Sequence, residues 1–288
     1  MNETTLEKRP TTVPGLVAMK AAGRRIVMTT AYDLITARLG DAVADVLLVG
    51  DSVGTVCLGF PNTLPVTMAM LAHHLDAVTR ANPKALVVAD MPFLSYHLDL
   101  ADSVRNAGDL VRRGAGAVKV EGGAKRVETI RRLIDSEIPV MGHLGLTPQS
   151  FNVMGGHKVQ ARKGADVARI LDDACALEAA GCFALVLEGV PAQVAARVTQ
   201  ELHIPTIGIG AGAGCDGQVL VIHDVLGLTQ GHKPKFVRSY VDGFGVLSEA
   251  LARWGDDVRG GTFPTEAESY ATPAEAKEAL AAWRRTGA

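Results

Sequence analysis

Five short apolar runs in this chain end in a residue able to carry a charge or a proton. Val46-Leu47-Leu48-Val49-Gly50 leads to Asp51-Ser52, the run from Ala85 to Ala89 leads to Asp90, and Ala117-Val118-Lys119-Val120 leads to Glu121. Val140-Met141-Gly142 leads to His143, and Ala184-Leu185-Val186-Leu187 leads to Glu188. Asp51, Asp90 and Glu121 offer oxygen ligands with no accompanying Cys or His, a donor set that suits a hard cation such as Mg2+. Any one of them alone reads as a helix cap or a solvated strand end; three at successive strand ends favour a shared site. Lys119 lies two residues before Glu121, which puts both side chains on one face of a strand. It either anchors an anionic substrate group or makes a structural ion pair, with a Schiff-base lysine as a third option. Glu188 has the position of a general base, and the first turn of the next helix would also favour a carboxylate there. His143 could hydrogen-bond a substrate carbonyl or move a proton, or be a satisfied, semi-buried histidine. The glycine-rich stretch Gly208 to Gly214 contains neither G-x-G-x-x-G nor a P-loop. It reads as tight backbone packing or close approach of a flat ligand.

These runs need a scaffold that brings their ends together. A fully buried parallel strand reads as a short apolar run, and eight such strands alternate here with helical stretches. They start near Arg25, Val46, Ala85, Ala117, Val140, Ala184, Pro205 and Val219. A short helix is expected over residues 12–22, and further helices over 66–82, 100–114, 165–180 and 192–202. A last barrel helix is expected over 237–254, and an Ala-rich surface helix over 273–285. The loop from Leu144 to Gly164 is long for a strand-to-helix connection, and long loops are usually functional or mobile. Strand–helix alternation argues for an α/β fold with a parallel sheet. Eight units within 288 residues favour a closed (β/α)8 TIM barrel with a short N-terminal helix. In that fold chemistry sits at the C-terminal tips of the strands. The expected division is a mobile arm at residues 1–11, one barrel at 12–264 and a peripheral tail at 265–288.

Bulk properties narrow the partners. The net charge of −2 gives no field to recruit nucleic acid or an anionic membrane. Cys57, Cys175, Cys182 and Cys215 form no C-x-x-C, which argues against a zinc site or a disulfide framework. The N-terminus lacks an apolar signal core, and no segment approaches the roughly 20 apolar residues that span a bilayer. A cytoplasmic protein is the expectation.

Longer motifs surround the charged tips. Leu48-Val49-Gly50-Asp51-Ser52, Thr63-Leu64-Pro65-Val66-Thr67 and Val118-Lys119-Val120-Glu121-Gly122-Gly123 stand in order along the chain. They are followed by Gly142-His143-Leu144-Gly145-Leu146-Thr147-Pro148-Gln149-Ser150 and Gly208-Ile209-Gly210-Ala211-Gly212. Together they closely resemble the ketopantoate hydroxymethyltransferase family from about Met28 to Pro264. The resemblance implies a barrel of the phosphoenolpyruvate mutase/isocitrate lyase type, Mg2+, the co-substrate 5,10-methylenetetrahydrofolate and a homodecamer. It further implies that Asp51 and Asp90 bind metal and touch substrate, with Glu121 a third ligand, directly or through water. Ser52, Lys119 and His143 become substrate contacts and Glu188 the proton acceptor. The implied substrates are small molecules, a 2-oxo acid and a folate. Two other readings stand beside this one. One is a Mg2+-dependent C–C or P–C bond lyase or mutase on the same barrel, although no catalytic-cysteine loop is recognisable. The other is a non-enzymatic barrel whose tip carboxylates bind no metal.

Overall fold

The computed structural model describes residues 9–156, 158–231 and 233–285. Most of the expected N-terminal arm, residues 1–8, lies outside them. In chain order the elements are α1 (Val13–Ala21), β1 (Ile26–Thr30), α2 (Leu34–Asp41), β2 (Val46–Val49), α3 (Val53–Val56), α4 (Met68–Thr79) and β3 (Leu86–Asp90). Then come α5 (Leu100–Arg112), β4 (Ala117–Glu121), α6 (Val127–Ile134), β5 (Val140–Gly145), α7 (Phe151–Met154), α8 (Gly164–Ala179) and β6 (Ala184–Glu188). The series ends with α9 (Ala192–Glu201), β7 (Thr206–Ile209), β8 (Gly217–Leu220), α10 (Ile222–Val225), α11 (Gly243–Gly260) and α12 (Ala274–Ala282). The eight strands pair in parallel, each with its sequence neighbour, and β8 closes on β1.

Helix starts follow local capping chemistry. Thr12 accepts from Gly15 N at α1, Asp33 and Thr36 form a capping box at α2, and Asp99 accepts from Asp102 N at α5. Side chains alternate in and out along each strand. The outward set packs under the helices, as with Leu47, Val87, Val118, Leu185 and Leu187. The inward set fills the barrel, as with Met28, Val46, Leu86, Val88, Ala117, Met141, Ala184 and Ile207, and α1 adds Leu16 and Met19 to it from below. The inward column changes character as it rises. On β3 it climbs from Leu86 and Val88 to Asp90, and on β4 from Ala117 to Lys119 and Glu121. An apolar floor thus supports a charged mouth.

Two expected elements shift. The eighth strand runs Gly217–Leu220, not Val219–His223. It opens on a glycine, which strand propensity discounts, because a Cβ on Gly217 would press on the Ile26 carbonyl and on Ile207. His223 instead lies on α10, whose Ile222 N donates to Thr30 Oγ1 at 3.0 Å. The expected helix at 237–254 is α11, six residues later. Asp242 accepts from Gly245 N at its start, and Gly261 ends it in the left-handed region. The chain divides into two compact units between Tyr240 and Val241. Within the second unit α11 exposes Leu247, Leu251 and Trp254. Among the described residues no helix is long and apolar enough to cross a membrane.

Candidate active site

Strand register brings the sequence-predicted residues together. Asp90 is the ladder partner of Lys119, and Glu121 is the partner of His143. Lys119 Nζ consequently stands 2.6 Å from Asp90 Oδ1 and 3.6 Å from Glu121 Oε1. It also lies 3.2 Å from His143 Nδ1. His143 is 3.3 Å from Glu121 Oε1 through Nδ1, and 3.3 Å from Glu188 Oε2 through Nε2. Asp51, just past β2, donates its backbone N–H to Asp90 Oδ2 at 3.1 Å. Gly50 leaves room for this turn, since a Cβ there would lie 2.8 Å from Ser52 Oγ. Ser52 Oγ in turn bonds the Tyr32 hydroxyl at 2.8 Å.

Asp51, Ser52, Asp90, Lys119, Glu121, His143 and Glu188 line one cavity of about 110 Å3, together with Leu48, Val186, Ile209, Val219 and Val221. Asp51, Asp90, Lys119, Glu121 and His143 are buried. A wider cleft of about 380 Å3 lies at the tips of β4 and β5, among Lys125, Arg169 and Asp173. It contains none of the predicted site residues. Convergence of buried charge, not size, marks the smaller cavity as the site.

The electrostatics are unbalanced. Three buried carboxylates face one ammonium and one imidazole. Burial, together with the charges of Asp90 and Glu121, holds the Asp51 carboxyl well above the usual carboxylate range. Burial also raises Asp90, against the pull of Lys119. Burial opposes the charge on Lys119, but Asp90, Glu121 and Asp51 outweigh it and keep the ammonium protonated. Glu121 is pulled down by Lys119 and His143 despite its burial. His143 rises to about 9, because its contacts with Glu121 and Glu188 overcome burial and the Lys119 charge. Asp90 Oδ1 and Glu121 Oε1 remain without a hydrogen bond of good geometry. Three carboxyl groups converging in one buried cavity are an oxygen donor set that fits a divalent cation. Among the described residues no three His, Cys, Asp or Glu side chains are arranged to hold a metal by themselves. A Mg2+ ion does not require such a cage, since it commonly keeps several waters and takes one or two carboxylates plus substrate.

Two residues of this network carry no charge pattern and escape a search for ionisable strand tips. Gln149 and Tyr96 are both buried beside the carboxylates. Gln149 lies in the long loop after β5, in the Thr147-Pro148-Gln149-Ser150 motif, and that loop's length was the available signal. The loop leaves β5 at Gly145 with φ 92°, its backbone against the Glu188 carbonyl, an approach open only to glycine. The glycines after β7 serve packing: a Cβ on Gly214 would sit 2.7 Å from Ala196 Cβ, and one on Gly210 2.6 Å from Phe236.

A closed eight-stranded parallel barrel with an acidic mouth places the chain among the (β/α)8-barrel proteins. Solved structures bear out that fold. A phosphonopyruvate hydrolase in complex with oxalate and Mg2+ superposes with a TM-score of 0.61 at 12% identity, covering 94% of this chain and 95% of the other. A 2,3-dimethylmalate lyase, a member of the PEP mutase/isocitrate lyase superfamily, gives 0.54 at 16% identity, covering 94% and 95%. Within that class the family is specific. The ketopantoate hydroxymethyltransferase model matches residues 10–266, and the chain belongs to that family. A 3-methyl-2-oxobutanoate hydroxymethyltransferase 2 from Bradyrhizobium diazoefficiens is 62% identical over 272 residues, 94% of this chain and 93% of its own.

Proposed function

We propose that this chain transfers a hydroxymethyl group from 5,10-methylenetetrahydrofolate to 3-methyl-2-oxobutanoate, yielding 2-dehydropantoate and tetrahydrofolate in pantothenate biosynthesis. The observation that carries the reading is the cavity itself. Its surplus of buried carboxylate surrounds one ammonium on one side, and an aliphatic wall of Leu48, Val186, Ile209, Val219 and Val221 faces it. A branched, small 2-oxo acid has the matching halves. Asp51 and Asp90 would hold Mg2+, with Glu121, whose Oε2 accepts from Gln149 N at 3.0 Å, a third ligand directly or through water. When bound, the ion supplies Lewis-acid polarisation of the oxo acid's carbonyl.

The chain's own groups account for the rest. Lys119 offers positive charge to the substrate carboxylate or to the oxygen that gains charge as C3 loses its proton. Ser52, steadied by Tyr32, donates to the same end. Glu188 takes the C3 proton, and His143, 3.3 Å away, keeps its carboxylate aimed. C3 then forms a bond to the one-carbon unit of the folate, and water releases tetrahydrofolate. The aliphatic wall keeps water from the reacting carbon. In this reading the barrel is the catalytic domain of a cytoplasmic homodecamer.

Glu188→Gln tests the assignment. It should retain Mg2+ and oxo-acid binding while C3 proton exchange falls by roughly 10^2 to 10^4. Deuterium uptake from D2O into the oxo acid measures this, and exchange at the wild-type rate would remove Glu188 from the role of base.

A further inference from the structure

Gln149 touches three consecutive strand tips at once. Its backbone N–H donates to Glu121 Oε2 at 3.0 Å, at the last residue of β4. Its side-chain Nε2 donates to Asp51 Oδ2 at 2.9 Å, beyond β2, and to the Met91 carbonyl at 2.9 Å, immediately after Asp90 on β3. Its Oε1 accepts from the Tyr96 hydroxyl at 2.6 Å. Both amide hydrogens and the amide oxygen are therefore used.

The orientation of this amide is decided by its neighbours. Rotated by half a turn, it would place its oxygen against the Met91 carbonyl, which has no proton to give, and would take its N–H away from Asp51 Oδ2. Tyr96 removes the remaining freedom. Its oxygen accepts from Glu121 N at 3.2 Å, which leaves its single proton for Gln149 Oε1. The Glu121 carbonyl, at 3.4 Å, is a poorer acceptor for that proton. Tyr96 and Gln149 thus form a directed chain from the β4 backbone to the Asp51 carboxylate. The chain occupies one Asp51 oxygen and leaves the other for the cavity. Residues that fix ligand carboxylates from behind are tuned elements of metal sites, and their loss typically costs about 10–100-fold in metal affinity or activity.

We propose that Gln149, oriented by Tyr96, is a positioning residue that sets the Asp51 carboxylate for the divalent ion and the oxo acid. The proposal rests on the functional reading above. It also ties the long loop after β5 to the acidic mouth, so that the loop's seating and the arrangement of Asp51 are one state.

The test is Mg2+ binding, titrated calorimetrically in the presence of 3-methyl-2-oxobutanoate, for wild type, Gln149→Met and Tyr96→Phe. Methionine keeps the bulk of the side chain and the backbone bond to Glu121, and it removes only the bonds of the amide. Gln149→Met should weaken Mg2+ by about 10–100-fold. Tyr96→Phe, which frees the amide to turn without removing it, should weaken it by less. In turnover the oxo-acid KM should rise in both variants by more than the folate KM. Wild-type Mg2+ affinity in either variant, or lower thermal stability with unchanged affinity, would overturn the proposal and leave Gln149 a packing residue. Should wild type bind Mg2+ yet form no hydroxymethylated product, the functional reading fails while the affinity ratios still decide the role of Gln149. No Mg2+ binding by wild type would overturn both.

Discussion

The barrel carries a lysine–carboxylate cluster at each end, and the two are built to opposite specifications. At the floor, Lys20 Nζ meets Asp216 Oδ2 at 2.9 Å and also donates to the Thr199 carbonyl at 2.8 Å. Asp216 accepts from Thr206 N at 2.9 Å and from its hydroxyl at 3.1 Å, and its own N–H donates back to Thr206 Oγ1. One cation meets one anion, with every named group bonded, close to solvent. At the mouth, Lys119 meets two carboxylates, Asp90 and Glu121, in full burial, and the buried Asp51 carboxyl lines the same cavity. A satisfied pair joins α1, β7 and β8 and closes the barrel. A cluster of three carboxyls around one ammonium, facing a cavity, offers a site for a ligand. The position of each on the barrel follows the division between a stabilising bottom face and a reactive top face.

Removing each lysine is the strongest way to break this contrast. Lys119→Met takes away the principal counter-charge of a buried cluster, and breaking such a pair typically costs about 3–5 kcal/mol. For a domain of this size that corresponds to a fall in Tm of roughly 10 °C by calorimetry in the metal-free protein. Oxo-acid turnover should be lost as well. An equal and small effect of Lys119→Met and Lys20→Met would show that the two clusters do the same work.

Ligand addition separates the clusters next. An ion that binds only the folded mouth stabilises the protein by about 4 kcal/mol at a thousandfold excess over its Kd. Thermal unfolding with and without Mg2+ and oxo acid reads this. The shift should vanish in Asp51→Asn and persist in Asp216→Asn.

The acidic mouth was legible in the sequence because chemistry there is written in residue type. Asp51, Asp90, Lys119, Glu121, His143 and Glu188 are polar interruptions of apolar runs, and period-two alternation then dictates that they face one interior. The fold was legible for the same reason, since eight buried parallel strands leave eight apolar runs. What was hidden depends on contacts across the chain. Gln149 shows no charge or period, and its role arises from a turn that brings it back onto Asp51. Strand β8 was misplaced because its first residue is a glycine required by Ile26 and Ile207, which lie far away in sequence. The floor cluster was equally hidden, since Lys20, Thr206 and Asp216 lie in three separate segments and meet only through the closure of the barrel.

A pH series sharpens the contrast further. The contacts of His143 with Glu121 and Glu188 raise it from the ordinary imidazole value of 6.5 to about 9, and burial raises Asp51 as well. Each group binds its proton more tightly in the folded chain than in the unfolded one. Stability from His143 is therefore complete below about pH 6.5 and drains away as pH climbs through about 9. The raised Asp51 adds a loss in the same direction, beginning from the acid side. The metal-free protein should thus lose Tm steadily between pH 6.5 and 9, and Mg2+ with oxo acid should recover most at the alkaline end. His143→Gln should flatten the upper part of that slope. An unchanged slope in the variant would place the pH sensitivity outside the mouth.

The smallest expected effect isolates the floor. Asp216→Asn keeps the size of the side chain but removes the charge facing Lys20, with both side chains only 15% and 18% exposed. Loss of a charged hydrogen-bonding partner at such a site typically costs about 1–3 kcal/mol. That translates into a fall in Tm of a few degrees, on the order of 2–4 °C per kcal/mol for a barrel of this size. The steady-state kcat, both KM values and the Mg2+ affinity should all stay at wild-type level, because the apolar layer of Met28, Val46, Leu86 and Met141 separates floor from mouth. A packed interior transmits strain, so this independence is a demanding expectation. If Asp216→Asn weakens Mg2+ binding, the floor and the mouth are mechanically coupled through that layer, and the assignment of stability to one end and chemistry to the other no longer holds.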